Sequence, residues 1–272
     1  MSSNYFDSDI RSFELASSEN ELLDSNREIW KSIGIKQTDS ALFFPAPNAL
    51  VPIMFARFMN RRKVTFVDTN EISVSTLIKL AAQMKLSNVT VKLASSMGKI
   101  PVPDASFDIV FSDLGLSYFM SQSGRSGDAE SLAKELVRVA RPGGKVSAIE
   151  ENGAQVMYPC PQEILSIRSK IEAPRGERLI MGRRLYGLFK SNGLKSIILR
   201  GYSNFLTGED ELKMNSELNR RITALDSTSS SSPKEGGASP QEIEKYRTWL
   251  RSQIGNKSFL IQFNSIFCVG MK

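Results

Sequence analysis

Short apolar runs alternate with longer amphipathic segments over residues 40–195 of this chain. Runs of this kind, bounded by polar and turn-forming residues, predict strands buried on both faces of a sheet. The segments between them are long enough to hold helices, and right-handed crossovers then wind the strands into an open sheet. The pattern therefore predicts a doubly wound α/β fold. Its predicted strands are Ala41–Phe44, Val64–Val67, Val89–Leu93, Phe107–Phe111 and Val146–Ile149, and its helices include Ile72–Met84 and Ala129–Ala140.

The pattern continues towards the C-terminus with one interruption. Residues 226–240 are rich in serine and poor in apolar residues, which predicts a flexible low-complexity loop between two helices. The remaining predicted elements are a helix Arg183–Ser191, a strand Ser196–Leu199, a helix Gln241–Ser252 and a strand Phe259–Val269.

Length and composition favour one globular domain with additions. The chain has 272 residues, of which 41% are hydrophobic, and this is enough to bury a full core. No apolar run approaches the roughly 18 residues that cross a bilayer, and the N-terminus has no basic-then-apolar signal. We therefore expect a cytoplasmic protein. Cys160 and Cys268 are far apart in sequence, so neither a disulfide framework nor a metal site is predicted.

Histidine is absent from the chain. A Ser-His-Asp triad, a Cys-His pair, an HExxH zinc site and an imidazole proton shuttle are therefore excluded. Any chemistry has to use carboxylates, lysine, tyrosine, hydroxyl groups or positioning alone.

Charge is unevenly distributed along the chain. Residues 1–30 hold seven acidic and two basic residues, whereas the segment from Cys160 to Arg200 holds nine basic and three acidic residues. A basic face could contact RNA, an anionic lipid surface or an acidic substrate, but a solvated helix face is the commoner explanation. The basic residues of this stretch include Arg168, Lys170, Arg175, Arg178, Arg183 and Arg184.

Four segments of the chain resemble the class I S-adenosylmethionine-dependent methyltransferase family, in particular its ubiquinone/menaquinone-biosynthesis branch. They are Phe66–Asp68, Lys99–Val110, Glu135–Lys145 and Gly182–Leu194. The resemblance implies a Rossmann-like, seven-stranded, mostly parallel sheet whose last strand is antiparallel. It also implies a helical N-terminal cap over residues 1–38 and an α/β domain over residues 39–272, with a cap insertion at 155–190 and the loop at 226–240.

The resemblance implies S-adenosylmethionine as cofactor and Asp68, followed by Thr69, as the acid that binds the ribose hydroxyls. An aspartate that ends a strand is also a common turn former or helix cap. The family's small acid for the adenine falls on or near Ser96, and Met97 is expected to pack against the base. The family's motif, an Asp followed by Gly at alternate positions, falls on Phe43, Pro45, Pro47 and Ala49, and proline fixes φ near about −65° and adds ring bulk. The candidate cofactor loop is therefore Pro45, Ala46, Pro47 and Asn48.

Candidate catalytic residues follow the ends of the fourth and fifth predicted strands. Open α/β sheets bind ligands at this edge, which places Asp113, Tyr118 and Glu150 there, and surface loop residues without a catalytic role are the alternative. A carboxylate in this position could deprotonate an acceptor that is held in line with an activated methyl group.

Three functions remain open from the sequence. The first is methyl transfer to a small-molecule or lipid-like acceptor, and the second is a methyltransferase-like scaffold subunit that has lost its cofactor site and binds a protein partner. The third, RNA binding or modification, depends only on the basic stretch and lacks aromatic interleaving.

Overall fold

The computed structural model describes residues 27–36, 39–46, 50–60, 62–123, 128–153, 155–173, 176–229 and 237–272. The chain forms two compact units. Unit 1 consists of Met1–Asn152, Ile180–Gly201 and Ser265–Lys272, and unit 2 consists of Gly153–Leu179 and Tyr202–Asn264. The described part of the predicted N-terminal cap is helical over residues 27–33, and residues 1–26 lie outside the described residues.

The order of elements follows the predicted alternation of strands and helices. The strands are β1 Ala41–Phe43, β2 Val64–Asp68, β3 Val89–Leu93, β4 Phe107–Asp113, β5 Ala140–Glu151, β6 Val156–Tyr158, β7 Lys195–Thr207 and β8 Leu260–Met271. The helices are α1 at residues 27–33, α2 Leu50–Met59, α3 Glu71–Gln83, α4 Gly115–Ser123, α5 Asp128–Val139, α6 Gln162–Glu172, α7 Gly176–Leu179, α8 Met181–Ser191, α9 Glu211–Ser229 and α10 Pro240–Ser252.

The sheet of unit 1 has the strand order β3-β2-β1-β4-β5-β8. Its first five strands are parallel, and β8 runs antiparallel to β5. The strand order reverses between β1 and β4. Strands β2 and β3 are added on one side of β1, and strands β4 and β5 are added on its other side. The predicted doubly wound fold with an antiparallel last strand is confirmed. Open sheets of this type form a crevice at the carboxyl ends of the strands beside such a reversal.

Aromatic side chains fill the core of unit 1 beneath this edge. Phe43 lies opposite Phe111 of β4, with ring centroids 5.0 Å apart. Phe55 of α2 stacks on Phe111 at 5.6 Å, and Trp30 of α1 contacts Phe55 at 5.4 Å. These four side chains are fully buried. Burial of such large aromatic side chains stabilises the packing of α1 and α2 against the sheet.

The segment from Arg141 to Gly144 is an irregular start of β5. Its register with β4 shifts between Phe107 and Ile109, and Gly143 has a φ of +75°. A Cβ on Gly144 would lie 2.9 Å from the Arg141 carbonyl oxygen. Glycine is needed here because one residue takes a left-handed conformation and the next meets backbone atoms closely.

Unit 2 is built from helices α6, α9 and α10 around a second core that includes Leu218, Leu250 and Phe259. The short strand β6 pairs with residues 260–262 of β8 and was not predicted from the sequence. Helix α9 continues to Ser229, so the predicted loop begins later than expected, and residues 230–236 lie outside the described residues. Ser239 and Glu242 form a capping box at the start of α10. Among the helices that the structure describes, none is long and apolar enough to span a membrane.

Candidate functional site

The predicted site residues of three strands lie along the carboxyl edge of the sheet in unit 1. Asp68 ends β2, Asp113 ends β4 and Glu150 is next to the last residue of β5. The loop after β1 runs along the same edge, at the point where the strand order reverses. The fold therefore brings together groups that are about forty residues apart along the chain.

Asp68 is fully buried, and its carboxylate organises the turns around it. One oxygen, Oδ2, accepts a hydrogen bond from the Ala46 N–H at 3.0 Å, and Oδ1 accepts one from the Asn70 N–H at 2.8 Å. Burial raises the pKa of Asp68, and the backbone donors of Asn70, Ala46 and Thr69 oppose this rise. Asn70, not Asp68, caps α3, because its side chain accepts from the first turn of that helix.

The loop without glycine is held at three points. The Phe44 N–H donates to the Phe111 carbonyl oxygen at 3.0 Å, and Ala46 is bound by Asp68 as described. The ring of Pro45 lies against Gly115, so closely that a Cβ on Gly115 would overlap both the ring and Ser112 Oγ. A glycine on the facing helix thus makes room for the proline ring in the loop. The other two predicted loop residues, Pro47 and Asn48, lie outside the described residues.

Replacing Gly115 with alanine is expected to lower the free energy of unfolding by about 1–3 kcal/mol, because the new methyl group overpacks a site with no free volume. Urea unfolding monitored by circular dichroism measures the change. The matched control is Gly187→Ala on α8, where a Cβ meets nothing within 4 Å and alanine should stabilise the helix by about 0.5–1 kcal/mol. Equal changes in both variants would contradict this role for Gly115.

Glu150 is fully buried and binds the first turn of α4. Its Oε1 accepts a hydrogen bond from the Leu116 N–H at 2.7 Å, and its Oε2 accepts one from the Ser117 N–H at 3.3 Å. Burial raises the pKa of Glu150 to about 8, against the effect of the hydrogen bonds from Ser117 and Leu116, and the nearby charge of Asp113 adds to the rise. Glu150 therefore fixes α4 against the strand edge.

Asp113 is half-buried, and the structure shows no hydrogen bond to its carboxyl group within the residues it describes. Desolvation raises the pKa of Asp113 to about 7. Asp113 pairs with Ile149 of β5, which places it one residue from Glu150 on the adjoining strand. Asp113 and Glu150 are therefore neighbouring carboxyl groups whose pKa values are both raised, to about 7 and about 8.

The remaining predicted residues occupy different environments. Tyr118 lies half-buried on α4, packed against the core of unit 1. After β3, Ser96 is exposed and its backbone pairs with that of Lys99 in an isolated antiparallel β-bridge, whereas the Met97 side chain is buried in the core. The Ala94 N–H donates to the Asp68 carbonyl oxygen at 2.8 Å, so the turn that carries Ser96 and Met97 starts beside Asp68.

Two site residues were not found from the sequence. Ser112 is fully buried, and its Oγ has no hydrogen-bond partner among the described residues. Gly115 accommodates Pro45. Both belong to the run Ser112–Gly115, which joins the end of β4 to the start of α4, and a small polar residue and a glycine at a strand end were the available signal.

Asp68 and Ser112 are the described polar groups at this edge that could hold S-adenosylmethionine. The Asp68 carboxylate accepts hydrogen bonds from the N–H groups of Ala46 and Asn70, and the Thr69 N–H is a third backbone donor to it. A carboxylate offers about four lone-pair directions, so one acceptor position remains for a ribose hydroxyl. The Ser112 hydroxyl is a second polar group at this edge that has no described partner.

Residues 49–148 match a family model described as a methyltransferase domain. This region begins at the end of the glycine-free loop and includes β2, β4 and most of β5. No functionally curated protein matches the chain.

Solved structures share the fold at low sequence identity. BH2331 of Bacillus halodurans, a candidate methyltransferase, has a TM-score of 0.58 and 14% identity, covering 90% of this chain and 97% of that protein. YcgJ of Bacillus subtilis has a TM-score of 0.57 and 17% identity, and the match covers 93% of this chain and 99% of YcgJ. Phosphoethanolamine N-methyltransferase 2 of Haemonchus contortus, in complex with S-adenosylhomocysteine, has a TM-score of 0.54 and 16% identity, with 92% and 52% covered. At these identities the similarity establishes the fold.

Proposed function

We infer that this chain transfers a methyl group from S-adenosylmethionine to a small-molecule or lipid-like acceptor, because residues 49–148 match a methyltransferase domain and the sequence resembles the class I family. Asp113 carries this inference, because a half-buried carboxyl group with a pKa of about 7 stands at the edge of the sheet where open α/β folds bind their ligands. The resemblance to the ubiquinone/menaquinone branch and the Haemonchus enzyme, whose name specifies phosphoethanolamine, both support an acceptor of small size.

Asp68 would hold the cofactor through the ribose hydroxyls, with Ser112 as a second polar contact. When bound, S-adenosylmethionine supplies a methyl group on a sulfonium centre that needs no further activation. The protein then has to align the acceptor and receive its proton. Pro45 and Ala46 fix the loop at this edge, and Asp68 holds that loop through the Ala46 N–H.

We assign the proton transfer to Asp113. It has a raised pKa and no described hydrogen bond, so its carboxylate can accept a proton from a hydroxyl or ammonium group near pH 7. Glu150 is a positioning residue, since it is fully buried and its oxygens are engaged by α4. By holding α4, Glu150 also sets the place of Tyr118, which would line the acceptor side.

Methyl transfer can be tested before the acceptor is identified. The full chain is incubated with S-adenosylmethionine labelled in its methyl group and with cell extract separated into small-molecule, lipid, protein and RNA fractions. Label is expected in the small-molecule or lipid fraction. Asp113→Asn should lower the rate at neutral pH by about a hundredfold or more, since the amide cannot accept the proton.

The matched control is Asp108→Asn, a buried aspartate at the opposite end of the same strand, where the carboxylate accepts hydrogen bonds from Ser40. Its labelling rate per folded molecule should equal that of the unmodified chain. Label in the protein or RNA fraction would refute the proposed acceptor class. Absence of label together with absence of cofactor binding would favour the scaffold function.

A further inference from the structure

Two arginines of unit 2 approach one tyrosine from different helices. Helices α6 and α9 both pack on α10, and they carry Arg168 and Arg221, whereas α10 carries Tyr246. The Tyr246 side chain is buried, and its hydroxyl contacts Met157 Sδ at 3.8 Å. Burial raises the pKa of Tyr246, and the positive charges of Arg168 and Arg221 oppose this rise. The charges of both guanidinium groups thus act on the Tyr246 hydroxyl.

Arg168 is only 4% exposed, although it belongs to the basic stretch for which the sequence favoured a solvated face. Its Nε donates to Glu172, one turn later on α6, at 2.8 Å. Its Nη2 is buried and has no hydrogen-bond partner among the described residues. A buried guanidinium N–H without an acceptor destabilises the folded state, so we expect an acceptor at this position.

Arg221 presents a second donor of the same kind. Its Nη2 is bound by the Gln155 amide oxygen and by the Glu217 carboxylate, and its guanidinium lies 6.0 Å from the centre of the Phe263 ring. Its Nε is buried and also has no partner within the described part of the chain. Burial lowers the pKa of Arg221. The negative charge of Glu217 opposes this decrease, and the positive charge of Arg168 adds to it.

Ion pairs hold both arginines in place. Glu217 pairs with Arg221 at 2.6 Å, and Glu172 pairs with Arg168 at 2.8 Å. The Tyr246 hydroxyl can itself donate to a negative oxygen. An oxyanion would accept from Arg168 Nη2 and Arg221 Nε, the two donors that have no described partner.

We propose that unit 2 binds an oxyanion, the carboxylate or phosphate group of a small molecule, through Arg168 Nη2 and Arg221 Nε beside Tyr246. Guanidinium groups bind both oxyanions through planar, charge-assisted hydrogen bonds, and a buried position strengthens them. Phe263 and Met157 supply apolar contacts for the carbon part of such a ligand. This inference rests on unit 2 alone and does not depend on methyl transfer.

The arginine Nε–H signals in nitrogen-15 NMR spectra test this site on the full chain. Inorganic phosphate and acetate serve as probes, each titrated at constant ionic strength against chloride. A saturable shift of the Arg221 Nε–H signal is expected with at least one probe, and the probe that acts identifies the phosphate or carboxylate class. Signals are assigned with Arg221→Lys and Arg168→Lys, which keep the charge and remove the donor geometry.

Affinity for the active probe should fall at least tenfold in each lysine variant. Lys170→Gln is the matched control, because Lys170 is on the same helix but exposed, and its affinity should stay within about twofold of the unmodified chain. Titration of the unmodified chain keeps the test valid if a lysine variant does not fold. Unchanged Nε–H signals with both probes would overturn the proposal, as would a loss of affinity in Lys170→Gln equal to that in the lysine variants. The two donors would then be hydrogen-bonded to ordered water.

Discussion

Replacing Asp68 with alanine is expected to weaken binding of S-adenosylhomocysteine at least tenfold, or about 1.4 kcal/mol. After accepting from Asn70, Ala46 and Thr69, the Asp68 carboxylate keeps one of its about four lone-pair directions for the ribose, and alanine has none. The loss of affinity has two causes. The variant removes the acceptor for the ribose, and it also releases the loop after β1. Isothermal titration calorimetry measures the affinity.

Asp68→Ala should also lower the free energy of unfolding by about 1–3 kcal/mol, since it leaves the buried Ala46 N–H without its acceptor. Asp108→Asn is the matched control, because Asp108 is likewise buried in unit 1 and accepts from the Ser40 N–H at 2.8 Å. This control should lose stability and keep its cofactor affinity. Equal affinity for Asp68→Ala and the unmodified chain would remove Asp68 from the site.

Replacing Glu150 with glutamine is expected to flatten the pH dependence of stability between about pH 5 and pH 8. The folded-state pKa of Glu150 is raised from 4.5 to about 8, so the folded chain holds a proton there that the unfolded chain has released. Stability therefore falls as pH rises through this window, with a slope of up to about 1.4 kcal/mol per pH unit for one proton. Glutamine keeps an oxygen for the Leu116 N–H and has no proton to lose.

Urea unfolding at a series of pH values measures this slope. Asp113 contributes to the slope of the unmodified chain as well, because its pKa is raised from 3.8 to about 7, so the Glu150→Gln curve should be shallower but not level. In Asp108, burial alone would raise the pKa, but Ser40 and Arg141 lower it overall. The Asp108→Asn curve should therefore run parallel to that of the unmodified chain above about pH 5. A Glu150→Gln curve that is also parallel would contradict the proton held on Glu150.

The strand edge was predictable because buried parallel strands are continuous apolar runs that end in polar residues. Asp68, Asp113 and Glu150 follow such runs directly, and the order of strands places their ends on one edge. The alternation that predicts the strands thus also predicts which polar groups meet.

The compensation for the missing glycine was not predictable from the chain. Pro45 and Gly115 are far apart along the sequence, and only their contact across the edge shows that the helix supplies the space that the loop lacks. In the same way, composition suggested a solvated basic face, whereas Arg168 is buried among partners from other segments. Long-range packing decides both features, and neither leaves a local pattern.

Calorimetric titration of the unmodified chain with S-adenosylmethionine and S-adenosylhomocysteine tests the central claim, that the edge around Asp68 is a working cofactor site without a glycine loop. One site per chain with a dissociation constant of about 1–100 µM, or roughly −8 to −5 kcal/mol, is the expected result. No heat, together with no rise in the unfolding temperature at millimolar cofactor, would contradict it and would leave a methyltransferase fold that serves another ligand.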